Sequence, residues 1–538
     1  MNKIIFSSIT ACLLISSLHA SYVLKPSEMI DAYSNSINQP SIEMKLLKSI
    51  DLKDSFKWHY MRYFEGKSKE DLYIRDINYY KDKILASGSY HSSLLVIDDK
   101  SENVAYADFY AIKDADHGEL GVKYKEAEED AKKAKEKNDD EWSGASELFV
   151  EQGEWIDKNT AFINTMPKYL GRDNPDAKPY LHHAGIHKIN IDENANIKEL
   201  AFSKGEYFLF RKYNDGVITL GDNNEFQILD KNLKLIKSFQ IKDVVKADVV
   251  KNRLFVLLKG DKKGIYEYDF KNNNLKKIAD FDAQYYGRPI KATTSPFLAS
   301  PDAKYIYYTT PHNYNSKLCK VEIKTSKTIC SDTGFPLYSG SYAISPDGKT
   351  LAYTFGGDKG QTSIFNLEKT PYLAGYAKGG NTSYAATFKD NKTLAVVNNR
   401  HVIDIYELKK GKKITLEDKF EDLKNRIFDF VAPDMNNITF KVKESNGKKK
   451  IKTSFALPQH IDGVNLTWVL PDEFKEFIND KNKVINVPSK DFSGEISVLM
   501  QLQKDGKIIK EAMVKSNFKI TVKKWKYLHF LVLAQNVW

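Results

Sequence analysis

Cysteine is almost missing from this chain: Cys12, Cys319 and Cys330 are the only three among 538 residues. No Cys-x-x-Cys pair exists, which excludes dithiol redox catalysis and haem attachment through Cys-x-x-Cys-His. Arginine is scarce too, at eight of the 81 basic residues. The formal charge is +10, yet arginine is the side chain of bidentate phosphate and base contacts. The lysines are spread along the whole chain instead of forming a stripe, so solvated strand edges account for them and no nucleic-acid partner is expected. A Gly-x-Ser-x-Gly elbow is absent, and with it the nucleophile of propeller-capped serine peptidases. The Asp-rich calcium loop of EF-hand type is absent as well. Beyond the first twenty residues no run is long and apolar enough to span a bilayer as a helix.

What is present starts with that first stretch. Asn2-Lys3 gives a short positive start, 4–18 is mainly apolar, and Leu18-His19-Ala20 sets a small residue before Ser21. This pattern predicts an export signal over 1–20 and a periplasmic, secreted or cell-surface protein. Ile9-Thr10-Ala11-Cys12 resembles a lipobox, but lipidation at Cys12 would leave Leu13-Leu14-Ile15 on the mature side, and the signal-peptide reading is preferred. Export makes the other two cysteines informative. Cys319 and Cys330 flank two short strands about a polar turn, which predicts a structural disulfide across a hairpin in an oxidising compartment.

A chain of this length needs a large domain and at least one smaller unit. The large one shows itself by repetition. Ser345-Pro346-Asp347-Gly348-Lys349-Thr350-Leu351-Ala352-Tyr353 is a tight turn running into a strand: proline sets φ, Asp347 bonds the backbone, and Gly348 supplies a positive φ. Ser300-Pro301-Asp302, Lys389-Asp390-Asn391 and Ala432-Pro433-Asp434 repeat it. The turn aspartates stand 45, 43 and 44 residues apart, the period of a propeller blade. Irregular starts at Asp82, Asp157, Asn214-Asp215-Gly216 and Lys251-Asn252 bring the candidates to eight. The expected fold is all-β, a seven- or eight-bladed β-propeller over 71–457. An N-terminal extension fills 21–70, where 27–30 and 41–52 fit short helices. A helical insertion is expected at about 119–141, where Glu128 with Lys132 and Glu129 with Lys133 stand at i, i+4.

These turns resemble those of bacterial β-propellers with Ser-Pro-Asp-Gly repeats, similar to WD-repeat and Tol-type periplasmic propellers; no Trp-Asp dipeptide ends a strand, so the WD subtype itself is not indicated. After Pro458 the period stops. Leu466-Thr467-Trp468, Val484-Ile485-Asn486-Val487-Pro488, an alternating run with Ile496, Val498, Met500 and Leu502, and Phe518-Lys519-Ile520-Thr521-Val522 resemble a reduced bacterial immunoglobulin-like domain. The resemblance implies a small β-sandwich at 458–523 that serves as spacer or adhesion module, followed by an apolar tail at 524–538.

Chemistry is thin. His182, His183 and His187 cluster ahead of a strand, but His183 and His187 would share a face some 13 Å apart at about 3.3 Å per residue, too far for one ion. They are weak metal candidates, and no cofactor is implied. With no linear catalytic motif, the expectation is a non-catalytic binding or scaffolding protein of the bacterial envelope. It would hold a protein or cell-envelope component at the loop face of its ring. The alternatives are a propeller hydrolase or lactonase with a site at the channel mouth, and a structural subunit or adhesin attached through the C-terminal module.

Overall fold

The protein is described from a computed structural model. It covers residues 36–53, 55, 73–89, 93–108, 147–168, 185–192, 197–221, 224–281, 297–310, 317–332, 340–355, 361–378, 385–398, 401–431, 438–445, 448–452, 460–461, 464–469 and 492–524. The signal segment, the 119–141 insertion, His182, His183 and the 525–538 tail lie outside these residues. The chain divides into two compact units, one of 39–312 with 316–413, the other containing 414–538.

Among the described residues, the first unit is made of seven four-stranded antiparallel sheets, a propeller-like β fold. Sheet I is Tyr73–Tyr80, Lys83–Ser89, Ser93–Asp98 and Val104–Asp108; sheet II is Glu147–Trp155, Thr160–Lys168, Gly185–Ile191 and Ile197–Lys204. Sheet III is Tyr207–Tyr213, Gly216–Gly221, Glu225–Leu229 and Leu235–Gln240; sheet IV is Val244–Val250, Arg253–Leu258, Gly264–Asp269 and Asn274–Ala279. Sheet V is Phe297–Ala299, Tyr305–Thr310, Lys317–Glu322 and Thr328–Asp332; sheet VI is Gly340–Ile344, Thr350–Phe355, Gln361–Asn366 and Tyr372–Lys378. Sheet VII is Ala386–Phe388, Thr393–Asn398, Val402–Lys413 and, from the other end of the unit, Pro40–Asp51.

The turns singled out in the sequence join the first two strands of their sheets. In sheet VI, Ser345 Oγ donates to Asp347 Oδ1 (2.6 Å) and accepts from Thr350 N (3.0 Å), while Gly348 N reaches Ser345 O (2.8 Å) at φ +71°. Sheet V copies this with Ser300, Asp302 and Ala303, the last at φ +57°. Asp390 and Asp157 hold their turns by the same carboxylate-to-backbone bonds. The eighth candidate, at Asp434, has another fate. The strand that follows it, Ile438–Ser445, pairs with Lys507–Lys524 and belongs to the second unit.

Residues 41–52 correct the sequence reading. Rather than a helix, Pro40–Asp51 is a strand paired antiparallel to Val402–Lys413, from Pro40 opposite Lys413 to Asp51 opposite Val402. Ile50 and Leu52, at its C-terminal end, are buried with Ile74 and Ile77 of sheet I and with Ile403 and Ile405 of sheet VII. The order of sheets is cyclic, as the bonds between neighbours show. Gly153 N donates to Asp76 Oδ2 (I to II, 3.0 Å), Asn164 Nδ2 to Tyr207 O (II to III, 2.7 Å), and Arg211 Nε to Asp248 Oδ1 (III to IV, 3.0 Å). Ala299 N donates to Asp248 Oδ2 (IV to V, 2.8 Å), Lys320 Nζ to Leu367 O (V to VI, 2.5 Å), and Tyr372 Oη to Pro40 O (VI to VII, 3.0 Å). Lys389 closes the circle on Asp82 (2.7 Å) and Asp99 (2.6 Å) of sheet I. Alternation of large and small residues packs these faces together: Leu351, Ala352 and Tyr353 are all buried.

In the second unit, a helix (Leu416–Val431) precedes a six-stranded sheet ordered Lys448–Lys452, Ile438–Ser445, Lys507–Lys524, Phe492–Lys504, Val464–Val469, His460–Ile461. Ile438–Ser445 runs parallel to Lys507–Lys524. Thr415 and Asp418 form a reciprocal cap at the helix start, each accepting the other's backbone N–H at 3.0 Å. Phe420, Leu423, Ile427 and Phe428 are buried on one helix face, and Ile496, Val498, Met500 and Leu502 on one sheet face. Phe428 meets Trp468 edge to face (6.0 Å). This unit shows one sheet and one helix among the described residues. No described helix is long and apolar enough to cross a membrane.

Candidate functional site

The first strands of consecutive sheets bond to one another, and the residues just before their turns therefore come together. Arg211 and Asp248 occupy the same place in sheets III and IV, two residues before the end of the first strand. In sheet II that place is Gly153, where a Cβ would fall 2.4 Å from the Leu85 side chain. The next residue, Glu154, takes over the polar role.

Asp248 is 4% exposed and has both oxygens engaged, one by Arg211 Nε and the other by Ala299 N. Arg211 also donates through Nη1 to Phe210 O (3.1 Å), and its Nη2 has no acceptor among the described residues. The carboxylates of Asp248 and Glu154 hold the guanidinium more firmly protonated than usual against the effect of its burial. Glu154 Oε2 accepts Lys212 N at 3.2 Å. Burial pushes the Glu154 carboxyl up, against the pull of Arg211 and of the Lys212 N–H.

These groups line a cavity of about 520 Å³. Its walls come from five consecutive sheets: Glu154 of II, Arg211 and Lys212 of III, Val249 and Lys251 of IV, Leu298 and Pro301 of V, and Ile344 of VI. Asn214, Asn252 and Pro301 are turn residues, so the turn side of the ring forms the rim. Asn214 N donates to Asn252 Oδ1 (2.6 Å), tying two of those turns. The set offers one polar pole beside an apolar wall, the common make-up of a small-ligand pocket.

The residues named from sequence lie elsewhere. His187 is 1% exposed inside sheet II, with Nε2 at 2.8 Å from Thr165 Oγ1, Nδ1 at 2.8 Å from Glu199 Oε2, and its ring 4.7 Å from that of Phe202. Both ring nitrogens are thus engaged by protein groups. His183 is outside the described residues. Among those residues no group of three or more histidine, cysteine, aspartate or glutamate side chains is placed to hold a metal ion. Cys319 and Cys330 are register partners on adjacent strands of sheet V and are joined by a disulfide.

Glu154, Arg211 and Asp248 escaped the sequence reading because nothing links them along the chain. Arg211 is 37 residues from Asp248, and Lys212 is 58 from Glu154. The available signal was positional: a rare arginine three residues before the Asn214-Asp215-Gly216 turn, and an aspartate three before Lys251-Asn252.

No family model matches the chain, and no curated protein matches it. Among solved structures, a chain of the "Crystal Structure of Mitotic Checkpoint Complex" is similar over 68% of this chain and 96% of its own, at 10% identity and a TM-score of 0.44. A likeness at that level carries no argument about function.

Proposed function

We propose that this chain is a non-catalytic binding or scaffolding protein of the bacterial envelope, a seven-bladed β-propeller that holds its ligand on the turn side of the ring. The observation that carries this reading is the cavity, whose walls are drawn from sheets II to VI and which therefore exists only when the ring is assembled. Its polar groups are tied in ways that suit holding rather than proton transfer, since Asp248 spends both oxygens on Arg211 and Ala299. The Cys319–Cys330 disulfide supports export to an oxidising compartment, in keeping with a signal peptide at 1–20. For 458–523 we retain an attachment role as an immunoglobulin-like module. The antiparallel run of Val464–Val469, Phe492–Lys504 and Lys507–Lys524 favours it.

Saturation-transfer NMR of the full chain against a library of cationic, anionic and neutral fragments tests the site. Hits lost in Arg211→Lys are expected. An absence of hits, or hits that survive in the variant, would overturn the assignment. For the attachment role, partners captured from envelope extracts should change when 458–538 are deleted, and an unchanged set would refute it.

A further inference from the structure

The bonds around the cavity leave an excess of donors. Each Asp248 oxygen already accepts one bond, from Arg211 Nε and from Ala299 N, and the side chain is buried. Arg211 keeps Nη2 without an acceptor among the described residues. Lys212 and Lys251 are the other two basic residues of the lining, both exposed. Glu154 is the remaining carboxyl. Its Oε2 already accepts the Lys212 N–H at 3.2 Å. The lining thus holds three basic residues, Arg211, Lys212 and Lys251, against two carboxyls, and an anion would find a guanidinium edge. The rest of the wall includes the apolar Val249, Leu298, Pro301 and Ile344. A doubly charged phosphate would set much of its charge against that wall, at a desolvation cost one guanidinium does not offset. A single carboxylate on a hydrocarbon body satisfies both sides, and about 520 Å³ is enough for one small molecule or the last residue or two of a peptide.

Resting on the reading of this cavity as a ligand site, we propose that it binds a carboxylate carried on a short apolar body, with Arg211 Nη2 as the principal donor. Two sources share that chemistry: a free organic acid and the C-terminus of a polypeptide ending in an aliphatic residue.

Titration calorimetry on the full-length protein tests the proposal with four probes: hexanoate, hexylamine, N-acetyl-glycyl-glycyl-leucine, and the amide of that peptide. At least one of the two acids is expected to bind, and the peptide acid should exceed its amide by about tenfold or more wherever the peptide binds. Hexylamine should not bind. Arg211→Lys should weaken the acid about tenfold. Binding of hexanoate alone assigns the free-acid source, and binding of the peptide acid the polypeptide source. If hexylamine or the amide binds as well as the acids and is weakened by Arg211→Lys, the carboxylate inference falls while the cavity remains a ligand site. If no probe binds, or binding is indifferent to Arg211→Lys, both fall. The acid-against-amide comparison uses the wild-type chain, so it decides the matter even if Arg211→Lys does not fold.

Discussion

Gly375 lies in the outer strand of sheet VI, where the backbone of the N-terminal strand passes close by. A Cβ built on it would sit 2.1 Å from the Ile42 carbonyl oxygen and 3.2 Å from its carbon. Real Cβ atoms do not come within 3.0 Å of a neighbour, so Gly375→Ala must move Pro40–Asp51 or Tyr372–Lys378 by about 1 Å. The obstacle is main chain, and no rotamer change relieves it. Overpacking of this kind costs about 1–3 kcal/mol, offset by about 0.5–1 kcal/mol for replacing glycine in a regular element. A net loss of about 1–2 kcal/mol spread over the unfolding entropy of some 370 residues, at about 2.1 cal/mol/K per residue, shifts the melting temperature by only about 1–3 °C. Hydrogen exchange is the sharper assay. At tenfold per 1.4 kcal/mol, amides of 42–50 should exchange about 5- to 30-fold faster, while those of sheets III and IV stay unchanged. In a chain lacking residues 1–51 the obstacle is gone, and the same alanine should be neutral or slightly stabilising. Unchanged protection across 42–50 in the full chain would refute the seating of the N-terminal strand beside sheet VI, and with it the closure of the ring.

Lys246 provides a pH test. Burial brings its amine down to about 8, while the unfolded chain keeps the proton to about 10.4. The unfolded state then holds more protons between those values, so stability rises with pH through that window, by at most about 3 kcal/mol. Chemical denaturation of wild type and Lys246→Met at pH 8 and pH 10 should show that rise as a difference between the two chains, and parallel curves would count against it. Lys320→Met removes the ammonium that caps Leu367, Glu368 and Lys369 carbonyls from sheet V and should cost about 1–3 kcal/mol by urea titration. A smaller loss would mean that water replaces the amine. Replacing both Cys319 and Cys330 by serine should cost about 3 kcal/mol on the chain-entropy model for a loop this short, and the double variant should respond to reductant no further. Thr415→Ala, which deletes the reciprocal cap, should lower the stability of the second unit by about 1 kcal/mol, read from its own unfolding transition.

The turn chemistry was legible because it is local. A proline, an aspartate and a residue tolerant of positive φ within four positions decide their own geometry, and at Ser300 and Ser345 the bonds are those the residue types dictate. The disulfide was legible for the same reason, since eleven residues of chain leave few ways for Cys319 and Cys330 to meet. Pro40–Asp51 was not. A segment such as Met44-Lys45-Leu46-Leu47-Lys48 has as much helical as extended preference, and what decides is a partner strand more than 350 residues away. The helix at Leu416–Val431 carries a local start signal, Thr415 followed three residues later by Asp418, but it lies inside the 44-residue interval from Asp390 to Asp434, whose regular length is that of a blade. Glu154, Arg211 and Asp248 illustrate the limit for sites. Each is an ordinary strand residue until the sheets are set side by side.

The pairing of Pro40 with Lys413 has a mechanical consequence. Asp51 and Val402 lead from one end of this antiparallel seam into the remaining sheets, while the chain before Pro40 and the chain after Lys413 both leave it from the other end. Tension applied through them would not load the seam's hydrogen bonds together, as it would in shear. It would open them in succession, starting at Pro40 and Lys413 and running toward Asp51 and Val402. The seam would therefore yield at low force and at a rate set by the first few bonds, including that of Tyr372 to Pro40, leaving the other six sheets intact. Pulled from the segments before Pro40 and after Lys413, a closure of this kind unzips.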